Sequence, residues 1–242
     1  MGAMHSGRAC GRQSGGFRKA VMLLGLAAAA TFSVAPAQAE VQIQVYGGVN
    51  GNFDSDVQVR RPGLPSANGT YDVGWDGKSF EMPPYWGARA IYWLDSNPNW
   101  GVALEFTHAK AYAKLNGAVG NTFTKLEFTD GNNIVTGNVL YRFAPWQFHN
   151  VRPYAGLGLG IAIPHVEVEL AGDTGPRTFE YQVTGLAAQA LVGLEMPFGP
   201  NWSGFAEVKM SYTHINADLD GGGYVKTDIW SPHFALGLSY RF

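Results

Sequence analysis

The chain has 242 residues, with 17 lysines and arginines against 19 aspartates and glutamates, 46% hydrophobic residues, 32 glycines and a single cysteine. That balance offers no cationic surface for a polyanion, so nucleic acid is not an expected partner, and one cysteine excludes an intramolecular disulfide framework. After the N-terminal region no run approaches the ~18 apolar residues of a spanning helix, so any membrane crossing must use closed strands.

The first 39 residues read as a secretory signal peptide, and residues 40–242 as one mature domain. "MGAMHSGRACGRQSGGFRK" carries Arg8, Arg12, Arg18 and Lys19, runs into the apolar "AVMLLGLAAAATFSVA", and reaches "PAQAE" with small residues Ala37 and Ala39 placed for cleavage. The n-region is long, so Met4 and Met22 are alternative starts. Cys10 falls in the removed piece. Removal takes four basic residues and no acidic one, leaving 13 against 19 and a net charge of −6 with histidine neutral.

Period-two alternation then marks eight strands: 41–51, 85–94, 100–113, 132–143, 152–169, 181–196, 202–215 and 230–242. Short connections ("DSNPN", "APWQFHN", "PFGPN") alternate with long ones at 55–84, 114–131, 170–180 and 216–229. The pattern predicts an all-β fold, an eight-stranded antiparallel transmembrane β-barrel with short periplasmic turns and longer extracellular loops, in the outer membrane of a Gram-negative cell. A lipocalin-like soluble barrel is the competing architecture, with its apolar row inside. The polar row decides against it. Arg89, Glu105, Arg142, Gln189, Glu195, Glu207 and Lys209 share one face and cannot line an apolar cavity, so the greasy face must look at lipid. A barrel of this size is filled by its own side chains, so an open pore is not expected. Gly156, Gly158 and Gly160 leave room for long inner side chains, and the terminal Phe242 resembles the end signature by which barrel-assembly machinery recognises its clients.

Three strands end their lipid-facing row in a histidine. Trp100, Val102, Leu104 and Phe106 lead to His108 and Lys110; Leu157, Leu159, Ile161 and Ile163 lead to His165 and Glu167; Val208, Met210 and Tyr212 lead to His214. At about 3.3 Å per residue and a tilt near 40°, these positions reach the outer-leaflet headgroups. The bland reading is an interfacial girdle, and the sharp one is a site acting on the lipid. A bulge could flip a row and move His108 indoors. The acids of "INADLDGGGYVKTD" (Asp218, Asp220, Asp228) suit a hard cation or merely a solvated turn, since the rest of an EF-hand loop is missing. His149 belongs to a short turn, and His233 to the inner row as a hydrogen-bonded lumen residue. "GLGLG" lacks the crossover helix of a dinucleotide fingerprint, and no G-x-S-x-G elbow or CxxC occurs.

Across nearly the whole mature region, through "WDGKSFEMPPYWGARA", "LEFTHAKAYA", "LEFTDGNNI", "IAIPHVEVE", "YQVTG" and "ADLDGGG", the chain resembles the outer-membrane lipid A oxidases. The resemblance implies oxidation of the proximal glucosamine of lipid A to 2-aminogluconate with molecular oxygen and release of hydrogen peroxide, assisted by a divalent metal ion, in contact with lipopolysaccharide and outer-membrane lipids. It carries over no catalytic residue. From their chemistry, His108, His165 and Glu167 are the catalytic candidates and Lys110 and His214 the substrate contacts. His165, Glu167, Asp218 and Asp220 are the candidate metal ligands. A flavin or nicotinamide fold does not fit in one small barrel. A lipid A acyl hydrolase or transferase and a non-enzymatic OmpA-like structural or adhesion barrel are the alternatives; the former would need an activated serine on the outer row.

Overall fold

The computed structural model of the protein describes residues 40–146 and 150–242; the signal-peptide reading and His149 lie outside the described residues. The strands are β1 (Glu40–Asn50), β2 (Ser55–Arg60), β3 (Gly69–Val73), β4 (Trp75–Asp76), β5 (Trp86–Leu94), β6 (Asn97–Ala113), β7 (Phe123–Arg142), β8 (Arg152–Leu170), β9 (Thr178–Tyr181), β10 (Gly185–Pro197), β11 (Trp202–Asp218) and β12 (Tyr224–Arg241). All pairings are antiparallel. β1 pairs with β5 on one side and β12 on the other, so the path β1-β5-β6-β7-β8-β10-β11-β12 returns to its start and leaves no free edge there.

The alternation predicted eight strands; the sheet has twelve. The additional four are pieces of the long connections that fold back and extend the wall upward. β2 takes over from β1 as the partner of β12, β4 follows β5 along β6, and β9 precedes β10 along β8. The long loops expected at 114–131 and 216–229 are correspondingly short, because β7 begins at Phe123 and the β11–β12 hairpin turns only at Leu219–Gly223. That turn has positive φ at Gly221, Gly222 and Gly223, where L side chains are strained.

The wall has two zones because its surroundings change. In the lower zone Leu104, Leu157, Leu159, Val192, Val208 and Leu236 are exposed outward, while Gln42, Arg89, Glu105, Glu207 and Lys209 are buried inside. Aromatic pairs border this zone: Trp100–Tyr141 and Trp202–Tyr240 below, Trp86–Phe106 and Tyr212–Trp230 above. Trp202 and Tyr212 are ten residues apart on β11, about 25 Å along the barrel axis at ordinary rise and tilt, the height of an outer-membrane apolar band. In the upper zone the inward row turns apolar: Phe123, Leu126, Phe128, Val166, Val168, Ile215, Ala217, Val225 and Ile229 form a dry core with Val57 and Val59 of β2. On β11 one row runs Glu207, Lys209, Ser211, Thr213, Ile215, Ala217, passing from ionic plug to apolar core. Where lipid is outside, the polar groups go in. Where water is outside, the ordinary arrangement returns.

The lumen is closed by its own charges. The Arg89 guanidinium donates to Glu105 Oε2 at 2.9 Å, to Gln44 Oε1 at 2.9 Å and to both Glu207 oxygens at 2.8 and 2.9 Å. The Lys209 ammonium bonds Glu105 and the Tyr46 hydroxyl, and Tyr154 donates to Glu207 at 2.9 Å. Two cations thus face two carboxylates with their remaining sites hydrogen-bonded, the condition for buried ions to be tolerated. Gly158 makes room for this layer: a methyl there would collide with the Asn138 side chain, which accepts from Gln189 at 2.6 Å.

Candidate functional site

His108, Lys110, His165 and Glu167 all lie on the outward row, just above the Trp86–Phe106 girdle. The irregularity between Ala109 and Ala111 advances β6 by two residues and β7 by four, both even, so the inward and outward rows keep their phase. His108 therefore stays outside. It is not exposed, however. His108 is 5% and Lys110 1% accessible, because the connection from β4 to β5 folds over them. The Lys110 ammonium, the expected anchor for sugar or phosphate, donates to the Glu81 carbonyl at 2.9 Å. The same connection carries Phe80 and Met82 with their apolar side chains fully out.

His108 Nδ1 faces Asn133 Oδ1 at 2.8 Å, while its Nε2 is buried with no hydrogen-bond partner among the described residues. The ring lies 6.4 Å from that of Trp86, stacked upon it. On β8, His165 sits between Phe179 and Tyr181 of β9, with ring centroids 4.5 and 4.7 Å away. Its Nδ1 also lacks a hydrogen-bond partner among the described residues, and the Asp130 carboxylate stands 3.9 Å off. Asp130 is delivered by the break in pairing between Glu127 and Asn132 of β7, and the Tyr181 hydroxyl donates to its carbonyl at 3.0 Å. The structure thus brings His108, His165, Asp130 and Asn133 to one outward patch across three adjacent strands.

Glu167 is tied up beside it. Lys125 bonds it at 2.8 Å, Arg177 lies at 3.7 Å and the Thr129 hydroxyl at 3.4 Å. This hydrogen bond raises the Lys125 ammonium above its ordinary range. Burial raises the carboxyl of the cross-strand neighbour Glu127, with Lys125 opposing and Glu167 adding to the rise. Glu167 is better described as the centre of a surface ion network than as a base or ligand.

The remaining candidates are elsewhere. His214, on β11, is separated from the patch by β10 and gives Nδ1 to Asp228 at 2.7 Å, where Tyr212 also donates. Asp218 exchanges hydrogen bonds with Gln182. Asp220 receives Arg61 on its carbonyl and gives its backbone N–H to Thr178 at 2.8 Å. The expected metal set of His165, Glu167, Asp218 and Asp220 is therefore not assembled, and among the described residues no three or more of His, Cys, Asp and Glu are grouped to hold a metal ion. At the upper cavity of about 390 Å³, Arg61 clamps the neighbouring loops, giving Nε to the Asp173 carboxylate and Nη1 to the Asp220 and Gly222 carbonyls.

One pair resembling hydrolytic machinery was not expected from sequence. Ser211 Oγ and His233 Nε2 are 2.8 Å apart. Both point into the lumen, and His233 Nδ1 has no orienting partner among the described residues. A serine enclosed there cannot meet an acyl chain outside, so the pair does not support a lipid hydrolase. Asp130, Gly131 and Asn133 were also missed as site residues, although a glycine amid polar residues in "TDGNN" is the mark of a bulge.

A closed antiparallel sheet with an apolar exterior, an ionic interior and two aromatic borders defines a transmembrane β-barrel. The chain belongs to the outer membrane protein beta-barrel domain family, whose model matches residues 24–242, and it resides in the Gram-negative outer membrane. Among solved structures it is similar to Neisserial surface protein A at 17% identity (86% of this chain and 98% of that chain covered, TM-score 0.44). It is also similar to OprG of Pseudomonas aeruginosa at 15% identity (84% and 96%, TM-score 0.48) and to Ail, the attachment invasion locus protein of Yersinia pestis, at 18% identity (84% and 99%, TM-score 0.39). No curated protein sequence matches the chain.

Proposed function

We propose that the protein works on the glycolipid of the outer leaflet, as a barrel that oxidises the proximal glucosamine of lipid A to 2-aminogluconate with molecular oxygen. The resemblance of "LEFTHAKAYA", "LEFTDGNNI" and "IAIPHVEVE" to lipid A oxidases supports the chemistry. These are the segments that carry His108, Asp130, Asn133 and His165. The carrying observation is structural: two covered histidines, each with a ring nitrogen lacking a hydrogen-bond partner among the described residues, occupy the outside of the wall immediately above the aromatic border. A headgroup resting on lipid would reach His108 once the β4–β5 connection shifts, and His165 once Phe179 and Tyr181 of β9 move aside. Neutral imidazole there can accept the proton of a sugar hydroxyl. Among the described residues the side chains do not form a donor set for the divalent metal ion that the resemblance implies, so no step is assigned to one.

The test is purified barrel in detergent mixed with lipid A. Oxygen consumption, peroxide release and a lipid heavier by one oxygen atom are expected; lipid unchanged in mass at every oxygen concentration overturns the reading. A non-enzymatic structural or adhesion barrel is the second reading, favoured by the self-filled lumen and the packed apolar core that stiffens the wall above the membrane. It predicts identical lipid A masses from cells with and without the gene.

A further inference from the structure

We infer that Asn133 is a positioning residue: it holds His108 in the tautomer protonated at Nδ1, which leaves the Nε2 lone pair to take the hydroxyl proton of the bound sugar. The inference rests on the lipid A reading above and adds a residue to that site. Asn133 is the cross-strand neighbour of His108 on the outward face. Both side chains are more than nine-tenths buried, and Nδ1 and Oδ1 are 2.8 Å apart. An amide oxygen only accepts, so the ring nitrogen facing it must carry the hydrogen. A neutral imidazole has one N–H, so Nε2 is bare. Beside the pair stands the Tyr181 hydroxyl, tied to the Asp130 carbonyl at 3.0 Å.

Gly131 belongs to the same device. It has φ +110°, and a methyl group there would collide with both Asn133 Oδ1 and the His108 ring. The bulge therefore does two jobs, making a gap for the pair and presenting Asp130 beside it. The charged groups facing His108 are Lys110 on its own strand and Asp130 on β7, with the Pro83 backbone of the covering connection beside the ring, while Glu81 and Lys78 of that connection face Lys110. The step assigned is a proton transfer alone: the sugar O–H bond breaks, the Nε2–H bond forms, and the resulting imidazolium keeps its Nδ1–H on Asn133 and meets the Asp130 charge.

The experiment uses the mature barrel with ¹⁵N-labelled histidine, folded in detergent micelles, with His108 assigned through His108→Gln. Ring nitrogen shifts at neutral pH are expected to show Nδ1–H and bare Nε2 in the wild type, to lose that pattern in Asn133→Ala and Gly131→Ala, and to keep it in Asn133→Asp, whose carboxylate also accepts. In the lipid A assay Asn133→Ala is expected to lower kcat at least about tenfold with KM little changed, and Asn133→Asp to recover much of it. A wild type protonated at Nε2, or an Asn133→Ala variant with unchanged shifts or unchanged kcat, overturns the inference. The wild-type tautomer stands as a test even where a variant does not fold. A wild type with the expected tautomer that converts no lipid A refutes the oxidation reading and removes the proton-acceptor role, while leaving the Asn133–His108 geometry established.

Discussion

Replacing Arg89 by alanine tests the claim that the barrel is held shut by a balanced ionic layer. In the folded protein this guanidinium reaches Glu105, Gln44 and Glu207 in four hydrogen bonds between 2.8 and 2.9 Å, and the side chains of Arg89, Glu105 and Glu207 are entirely inaccessible. Its removal leaves two buried carboxylates sharing the single cation Lys209. Breaking a buried pair from one side typically costs about 3–5 kcal/mol, because the abandoned charge keeps its desolvation penalty. Arg89→Lys keeps the charge but loses the bidentate fork onto Glu207, so a smaller loss of about 1–3 kcal/mol is expected. Arg89→Met combined with Glu207→Met removes one charge of each sign, and is expected to recover most of the stability. Equilibrium urea unfolding in detergent, followed by tryptophan fluorescence and by the heat-dependent mobility of folded barrels in gels, measures all three. An Arg89→Ala variant within about 1 kcal/mol of the wild type would refute the reasoning, because the layer would then be wet and weakly coupled.

Further outcomes follow from the same geometry. Gly160→Ala should prevent or strongly slow assembly, since the added methyl meets the backbone carbonyl of Val135 and cannot be relieved without opening the β7–β8 ladder; a variant with wild-type gel mobility and midpoint contradicts this. The bonds from the Gly175 N–H and from Arg61 hold the Asp173 carboxyl below its ordinary range. A depressed folded-state pKa contributes stability above the unfolded value, and that stability is lost as pH falls through the folded one. Protease cutting within 171–177 should therefore rise in acid below about pH 4 in the wild type and be insensitive to acid in Asp173→Asn, and the reverse order would exclude the clamp. In planar bilayers the wild type should show no steady conductance, whereas Arg89→Ala should give flickering openings; a stable wild-type pore would mean the plug is absent.

The alternating pattern carried the architecture a long way. Leu104, Leu159 and Val208 project outward and Arg89, Glu105 and Glu207 inward because strand side chains alternate strictly, and one row is intolerable to lipid while the other is intolerable to an ionic interior. The same rule put His108 and His165 on the outer row, and there it was right even across a bulge. It failed where both sides of the wall change character. From Phe123 to Thr129 and from Ile215 to Ile229 the apolar row turns inward, so the segments carry no continuous lipid-facing stripe and read as loops. Sequence by itself thus determined the barrel, its filled lumen and the height of the histidines, all of which follow from local periodicity against two solvents. Only the tertiary structure decided that Lys110 is spent on a carbonyl, that His214 and the acids of the last hairpin stand apart, and that Asp130 and Asn133 join the histidines. Those facts depend on pairing across β6, β7, β8 and β9 and on a connection folding back over the wall, contacts between residues far apart in the chain that no local period encodes.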